Sequence, residues 1–134
     1  LVAHANRFTK LPKKIGRLQS LKKLFLWGNQ LKNLPIEITR LYALKTLNLQ
    51  GNAFKQFPKE IGELRSLRFL NLSNNELKTL PSEIRNLRSL QLLSLHDNLL
   101  AKLPEEINQL TALQKLYLNK NRFEVFPKVI CELT

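Results

Sequence analysis

The sequence predicts an α/β fold, a right-handed solenoid that curves into a horseshoe arc. Short parallel strands would line its concave face, and short helices or 3-10 turns its convex face. Three sets of residues predict this fold, because each recurs every 23 residues along the 134-residue chain. Stacked repeats of such a period bury their apolar residues only against neighbouring units. The three sets are Pro12, Pro35, Pro58, Pro81, Pro104 and Pro127; Asn6, Asn29, Asn52, Asn75, Asn98 and Asn121; and Ile15, Ile38, Ile61, Ile84, Ile107 and Ile130.

The same period divides the chain into one partial repeat and five further repeats. We expect a single domain over residues 1–134, since one domain is the usual content of a chain of this length. The composition, 43% apolar and 24% charged, is that of an ordinary folded protein. No apolar run reaches the roughly 18 residues that span a bilayer. The predicted boundaries are 1–20 for the partial repeat and 21–43, 44–66, 67–89, 90–112 and 113–134 for the repeats.

The first half of each repeat predicts a strand followed by a turn, as repeat 67–89 shows. Leu67, Leu70 and Leu72 include a stretch of period two, which favours a short strand with its leucines pointing inward. Asn75 then leaves the strand, and a buried asparagine in a turn needs hydrogen-bond partners for its amide. We therefore expect a structural asparagine ladder bonded to the backbone. Its members would be Asn6, Asn29, Asn52, Asn75, Asn98 and Asn121, with Asn29, Asn52, Asn75 and Asn98 buried.

The second half of the repeat predicts a short helix. Pro81 fixes its φ angle and lacks an N–H group, so it suits the first helical position. Glu83 follows in the first turn, where a negative charge interacts favourably with the helix dipole. Ile84 and Leu87 are three residues apart, so one helical face packs inward. The chain then begins the next strand.

The repeat pattern is specific enough to indicate a family. Each unit reads L-x-x-L-x-L-x-x-N-x-[LF]-x-x-[LF]-P-x-x-I-x-x-L-x-x. This pattern resembles the leucine-rich repeat family in its 23-residue form, and the resemblance covers the whole chain. The stretch LRFLNLSNNELKTLPSEIRNL at residues 67–87 looks especially like the leptospiral subfamily. The LP-x-x-I segment is also similar to the Ras-group repeats of eukaryotic signalling scaffolds.

This resemblance implies a function. It implies a protein-recognition module, not an enzyme, that binds a protein partner through its concave face and needs no cofactor. Similarity to the leptospiral subfamily implies a secreted or surface bacterial protein that attaches to host macromolecules. Similarity to the Ras-group repeats implies an intracellular signalling scaffold instead, so a cytoplasmic location stays open.

The residues beside the strand leucines are the candidates for contacting a partner. They vary from repeat to repeat, whereas the leucine, asparagine, proline and isoleucine positions are nearly fixed. In a strand they would point away from the core, and grouped exposed aromatic residues mark interaction sites. Phe25 and Trp27, together with Lys23, form the expected anchor. The predicted binding residues are Lys23, Phe25, Trp27, Asn48, Gln50, Phe69, Asn71, His96 and Tyr117.

The charge of the chain is strongly basic and uneven. The net charge is +12, and residues 1–45 carry ten basic residues against one acidic residue. A basic surface favours acidic partners, such as an acidic host surface or matrix protein. A polyanion, either glycan or nucleic acid, is the alternative. A nucleic-acid site would alternate aromatic and basic residues along a groove, which this sequence hardly does, so nucleic acid is disfavoured. Two basic series are interpreted as solvated edges: Lys32, Lys55 and Lys78, and Lys22, Lys45 and Arg68.

The sequence offers little for catalysis or metal binding. His4 and His96 occupy the same repeat position four repeats apart, so about 20 Å separates them and they would not share a metal. Asp97 follows His96, but adjacent strand residues point to opposite sides, which predicts that the two do not pair. Cys131 is the single cysteine, so an internal disulfide is excluded. We therefore expect no catalytic residue and no metal site.

The two ends of the solenoid are expected to be adhesive. Neither end of the sequence shows the polar cap that solenoids use to remain soluble. The surfaces around Leu1 and around Leu116, Phe123 and Phe126 would then pack on flanking segments or on another molecule. End-to-end self-association is the corresponding prediction.

Overall fold

The structure is a computed structural model that describes residues 1–133. Its five strands are β1 (Lys23–Phe25), β2 (Thr46–Asn48), β3 (Phe69–Asn71), β4 (Leu92–Ser94) and β5 (Lys115–Tyr117). Its six 3-10 helices are η1 (Lys13–Arg17), η2 (Ile36–Arg40), η3 (Lys59–Glu63), η4 (Ser82–Asn86), η5 (Glu105–Gln109) and η6 (Lys128–Glu132). Each turn of the solenoid is called a coil here. Coil 1 contains η1, coil 2 contains β1 and η2, and so on to coil 6, which contains β5 and η6.

The strands form one parallel sheet in sequence order. They pair in register, so that residues one repeat apart lie side by side, as Leu24 and Leu47 do. Val2 forms a parallel bridge to Phe25, which extends the sheet to coil 1. The parallel pairing and the outer 3-10 helices confirm the predicted solenoid. The repeat boundaries given above stay a prediction.

The core is a continuous stack of apolar side chains between the sheet and the 3-10 helices. In coil 4, Leu70 and Leu72 enter the core from the strand side, while Ile84 and Leu87 enter it from the helix side, and all four are fully buried. Phe54 in coil 3 is the largest fully buried side chain. Burying each such side chain contributes about 1.5–3 kcal/mol. The packed core therefore supports the sheet along its inner side.

Asparagine side chains join each coil to the coil before it. The Asn75 amide donates to the carbonyls of Leu72 and Ser73 in its own coil and of Leu49 in the preceding coil, at 3.1 Å each. Its Oδ1 accepts the N–H of Phe54, also in the preceding coil, at 3.1 Å. The same pattern surrounds Asn29, Asn52, Asn98 and Asn121.

The burial of these asparagines differs in part from the expectation. Asn29, Asn75 and Asn98 are buried, but Asn52 is partly exposed, so the prediction that it is buried is wrong. Asn52 still makes the ladder bonds, since its amide donates to the Leu26 and Leu49 carbonyls at 3.0 Å each. At the two ends, Asn121 is partly exposed. Asn6 is exposed and bonds only to carbonyls of coil 1.

The prolines lie one residue earlier than predicted. Pro81 has an extended backbone (φ −82°, ψ 163°) and precedes η4, so it is the residue before the helix and not its first residue. Its carbonyl accepts the N–H of Ile84 at 3.2 Å, which closes the first turn. Proline fits there because this position uses only the carbonyl. Glu83 lies in the first turn, as expected.

A residue with positive φ follows each strand segment at the same repeat position. Its φ angle lies between 53° and 67° in all six coils. This left-handed conformation turns the chain out of the sheet and is least costly for glycine, followed by asparagine and aspartate. The six residues are Ala5, Gly28, Gly51, Asn74, Asp97 and Lys120.

The two end coils are the most exposed parts of the apolar stack. Leu1 is half exposed in coil 1, and Phe126 is 67% exposed in coil 6. Leu116 and Phe123 are only partly buried, whereas their counterparts in the middle coils are fully buried. End-to-end self-association stays a prediction. Within residues 1–133, no helix has the length and apolar character that crossing a membrane requires.

Candidate functional site: the concave face

The concave face consists of three rows of side chains that run across the strands. Strand pairing places the residues of the first two rows side by side. Backbone hydrogen bonds between adjacent coils align the third row, for example from Gly28 N–H to the Gln50 carbonyl at 2.8 Å. Row 1 is Lys23, Thr46, Phe69, Leu92 and Lys115; row 2 is Val2, Phe25, Asn48, Asn71, Ser94 and Tyr117; row 3 is His4, Trp27, Gln50, Ser73, His96 and Asn119.

An aromatic cluster occupies the N-terminal end of this face. The Trp27 side chain is 37% exposed, and its ring stacks on His4 with a centroid distance of 4.0 Å and an interplanar angle of 12°. Phe25 in row 2 is partly buried and Lys23 in row 1 is exposed. The stack restrains the orientation of the indole ring. Trp27 is thus a partly exposed ring that its contact with His4 keeps in place.

The middle of the face is polar and internally hydrogen-bonded. Asn71 Nδ2 donates to Gln50 Oε1 at 3.2 Å, and the Ser73 hydroxyl donates to Asn71 Oδ1 at 2.6 Å. Asn48 Oδ1 accepts the Gln50 N–H at 3.0 Å. These bonds fix amide groups in a region without charged side chains. A partner would therefore meet an ordered set of donors and acceptors here.

A charged group occupies the C-terminal end of the face, and it corrects the sequence-based interpretation of His96. His96 Nδ1 and Asp97 Oδ2 are 2.7 Å apart, so the prediction that these neighbours do not pair is wrong. Both residues lie beyond β4, and the positive φ of Asp97 (53°) ends the alternation of an extended strand. Lys120 Nζ lies 3.5 Å from Asp97 Oδ1. The hydrogen bond with His96 and the Lys120 charge lower the pKa of Asp97, and partial desolvation opposes them.

This arrangement predicts a pH-dependent contribution to stability. Because the pKa of Asp97 is lower in the folded state, its stabilising effect is present above the ordinary aspartate range and disappears as pH falls through the folded-state value. Wild type should melt at a higher temperature than Asp97→Asn at neutral pH, and this gap should close in acid. Because asparagine also tolerates positive φ, the change removes the charge without straining the backbone. Thermal unfolding followed by circular dichroism across pH measures the gap.

Glu124→Gln provides the control for that experiment. Glu124 is exposed and has no ion pair within residues 1–133, and its replacement removes the same charge. A gap between wild type and Asp97→Asn that stays constant with pH, or one that Glu124→Gln reproduces, would contradict the assigned contacts of Asp97.

The predicted binding residues fall into groups on this face. Phe69 and Tyr117 are 41% and 44% exposed, and Phe69 pairs across the sheet with Thr46 and Leu92. Lys23, Phe25 and Trp27 lie at one end, Asn48, Gln50 and Asn71 lie in the middle, and His96 and Tyr117 lie at the other end.

Sequence reasoning missed Asp97 and Lys120 as part of this face. The available signal was their shared repeat position, where glycine, asparagine and aspartate predominate and thereby indicate positive φ. Ser73 and Ser94, which share the rows with the exposed residues, are instead buried.

The described part of the chain does not bring metal ligands together. No three His, Cys, Asp or Glu side chains within residues 1–133 lie close enough to hold an ion. Cys131 is exposed on the last helix and is a free thiol. The side chains that the concave face presents are aromatic rings, amides and one ion-pair cluster.

A curved parallel sheet backed by 3-10 helices and joined by an asparagine ladder defines a leucine-rich repeat solenoid. Family models agree: one described as a leucine-rich repeat region matches residues 57–134, and one described as a leucine rich repeat matches residues 19–77. The chain belongs to the leucine-rich repeat family. A search of curated proteins finds no match.

The chain is also similar to individual solved structures of leucine-rich repeat proteins. It is 40% identical to a leucine-rich repeat protein of Leptospira interrogans over 96% of this chain, with a TM-score of 0.71, which confirms the resemblance to leptospiral repeats. It is 35% identical over its full length to the ectodomain of the Arabidopsis thaliana membrane receptor kinase GASSHO1/SCHENGEN3, solved in complex with CASPARIAN STRIP INTEGRITY FACTOR 2 (TM-score 0.84).

A third similar structure shares the fold alone. It is an internalin of Listeria monocytogenes, 23% identical over 99% of this chain, with a TM-score of 0.85. All three proteins are much longer than this chain, which spans 38% of the leptospiral protein, 17% of the plant ectodomain and 38% of the internalin.

Proposed function

We propose that the chain is a protein-recognition module that binds a protein partner through its concave face. The observation that supports this most is the Trp27 ring, held by His4 on a sheet whose other side is a rigid core. Ordering a contact residue before binding reduces the entropy that association costs. Partly exposed aromatic rings are also the residues that most often dominate a protein interface. Binding, without catalysis, is the function these groups suit.

The partner that fits this surface has an apolar side chain close to a carboxylate. The apolar side chain would cover Trp27 and Phe25, and the carboxylate would reach Lys23, which is exposed at the same end. The excess of basic residues in residues 1–45 attracts an acidic surface and speeds the encounter. The fixed amides of Asn48, Gln50 and Asn71 would add hydrogen bonds in the middle.

We also propose the setting in which the module works. Identity of 40% to a Leptospira interrogans protein supports a bacterial origin, and the plant and Listeria structures show the same fold in a receptor ectodomain and in an internalin. A secreted or surface protein that engages host macromolecules is the proposal most consistent with these relatives. Its partner should be recoverable from extracts of host extracellular matrix or cell surface.

The experiment is a comparison of Trp27→Ala with a matched aromatic deletion. With a partner in hand, Trp27→Ala should weaken binding by about 2 kcal/mol, roughly thirtyfold in Kd. The same change should lower the free energy of unfolding only by the contribution of the ring stack, about 0.5–1.5 kcal/mol. Calorimetric titration and thermal melting measure the two quantities. Tyr42→Ala is the control, because Tyr42 is 65% exposed but lies outside the three rows.

Three outcomes would contradict this assignment. Equal loss of affinity in both variants would show that Trp27 is not special to binding. A large loss of stability with unchanged affinity would show that Trp27 is a packing residue, and the site would then move to Phe69 and Tyr117. Loss of partner binding on changes to the convex helices alone would overturn the concave proposal.

A further inference from the structure

A ladder of basic residues lies where the chain enters the strands, one residue before the concave rows begin. The Lys45 N–H donates to the Lys22 carbonyl at 2.8 Å, and the Arg68 N–H donates to the Lys45 carbonyl at 2.9 Å. The three residues therefore occupy successive coils, about 4.8 Å apart along the solenoid. Gln91 continues the same line, since its N–H donates to the Arg68 carbonyl at 2.8 Å.

This entry edge contains a cavity that is lined by cations and by no carboxylate of residues 1–133. Its volume is about 450 Å³, and Ala112 is its one apolar lining residue. Three of its lining side chains are positively charged, and none of them forms an ion pair within residues 1–133. The polar and charged lining residues are Lys45, Ser66, Arg68, Arg88, Ser89 and Gln91.

The other basic edge of the solenoid is different. Lys55 there lies 4.0 Å from Glu76, and the cavity beside Lys32 is also lined by Glu60 and Glu83. Acidic side chains therefore lie among the basic ones on that edge. On the entry edge, Arg65 pairs with Glu63 at 3.8 Å, but the three cations of the cavity have no carboxylate partner within residues 1–133. Like charges that line one cavity repel one another. A bound anion would remove that repulsion.

We propose that this cavity binds the sulfate groups of a sulfated glycan, at a site separate from the concave face. Arg68 and Arg88 present planar guanidinium groups, which bind oxyanions through paired hydrogen bonds. The Ser66 and Ser89 hydroxyls and the Gln91 amide suit the hydroxyl groups of a sugar. No aromatic ring lines the cavity in the described part of the chain. A single-stranded nucleic acid would need such rings for stacking, so a sugar chain is favoured.

The test compares two double variants that remove the same charge. Lys45→Gln/Arg68→Gln alters the cavity. Lys78→Gln/Arg85→Gln alters two exposed cations elsewhere, neither of which has an ion pair within residues 1–133. All four side chains are exposed, so both proteins should fold, and thermal melting checks this. Titration with fluorescent heparin, desulfated heparin and a DNA duplex at several salt concentrations supplies the affinities.

We expect wild type to bind heparin and to lose that binding when the sulfates are removed. The cavity variant should bind heparin at least about tenfold more weakly, with a shallower salt dependence, and the control should lose less than about twofold. Equal losses in the two variants would show a general effect of net charge and overturn the site. Tighter binding of DNA than of heparin, or no binding of heparin at low salt, would overturn the glycan assignment.

Discussion

Replacing Phe54 with alanine is expected to lower the free energy of unfolding by about 3–5 kcal/mol, the range for deleting a buried aromatic side chain. Phe54 is fully buried in coil 3, where the neighbouring coils carry Leu31 and Leu77. Its backbone N–H bonds to Asn75, and the substitution leaves that bond in place. The loss therefore reports side-chain packing alone. Urea unfolding followed by circular dichroism measures it.

Two further variants make this expectation specific. Phe54→Leu introduces the residue of the neighbouring coils and should cost less than about 1.5 kcal/mol. Phe8→Ala removes the same side chain at the same repeat position in coil 1, where it is 42% exposed, and should cost clearly less than Phe54→Ala. If Phe8→Ala and Phe54→Ala were equally costly, coil 3 would not be packed as described.

Asn75→Ala is expected to cost about 1–3 kcal/mol, the range for leaving one buried group without a partner. The change removes the partner of the Phe54 N–H in coil 3, whereas the Leu49 carbonyl keeps its bond from Asn52 at 3.0 Å. Repeat proteins derive their stability from contacts between neighbouring units, so both coils should loosen. Amide hydrogen exchange should accelerate at Phe54 in particular.

Asn6→Ala is the matched control for this ladder position. Asn6 is exposed and bonds only within coil 1, so its replacement should change stability by about 0.5 kcal/mol or less. A cost of Asn75→Ala as small as that of Asn6→Ala would contradict the role of the asparagine ladder in joining the coils.

The regular part of this fold was predictable because it depends on a few residue types at a fixed spacing. Leu70, Asn75 and Ile84 recur with the period, and burial in a stack follows from that recurrence without knowledge of distances. The position of Pro81 was off by one residue, since an extended proline before a 3-10 helix and a proline inside its first turn obey the same sequence rules.

The candidate site was less predictable, since it depends on contacts between side chains of different coils. The sequence placed Trp27 on the concave face next to coil 1, but the parallel stack with His4 follows from rotamers that no pattern specifies. The pairing of His96 with Asp97 depends on a positive φ angle, which strand alternation ignores. The sequence predicted ordinary solvated charge on the entry edge, and only the structure shows a cavity there that no acidic residue among residues 1–133 lines.

Because the strands pair in register, the distance between two positions in one row is set by the number of coils between them. Trp27 and His96 occupy the same row three coils apart, so about 14 Å of sheet separates the aromatic cluster from the charged group. Duplication of one 23-residue unit between them would lengthen that distance by about 4.8 Å and leave the contacts inside every existing coil unchanged. Loss of one unit would shorten it by the same step. The spacing of the two ends of the face can therefore be changed in whole steps while each end keeps its own chemistry.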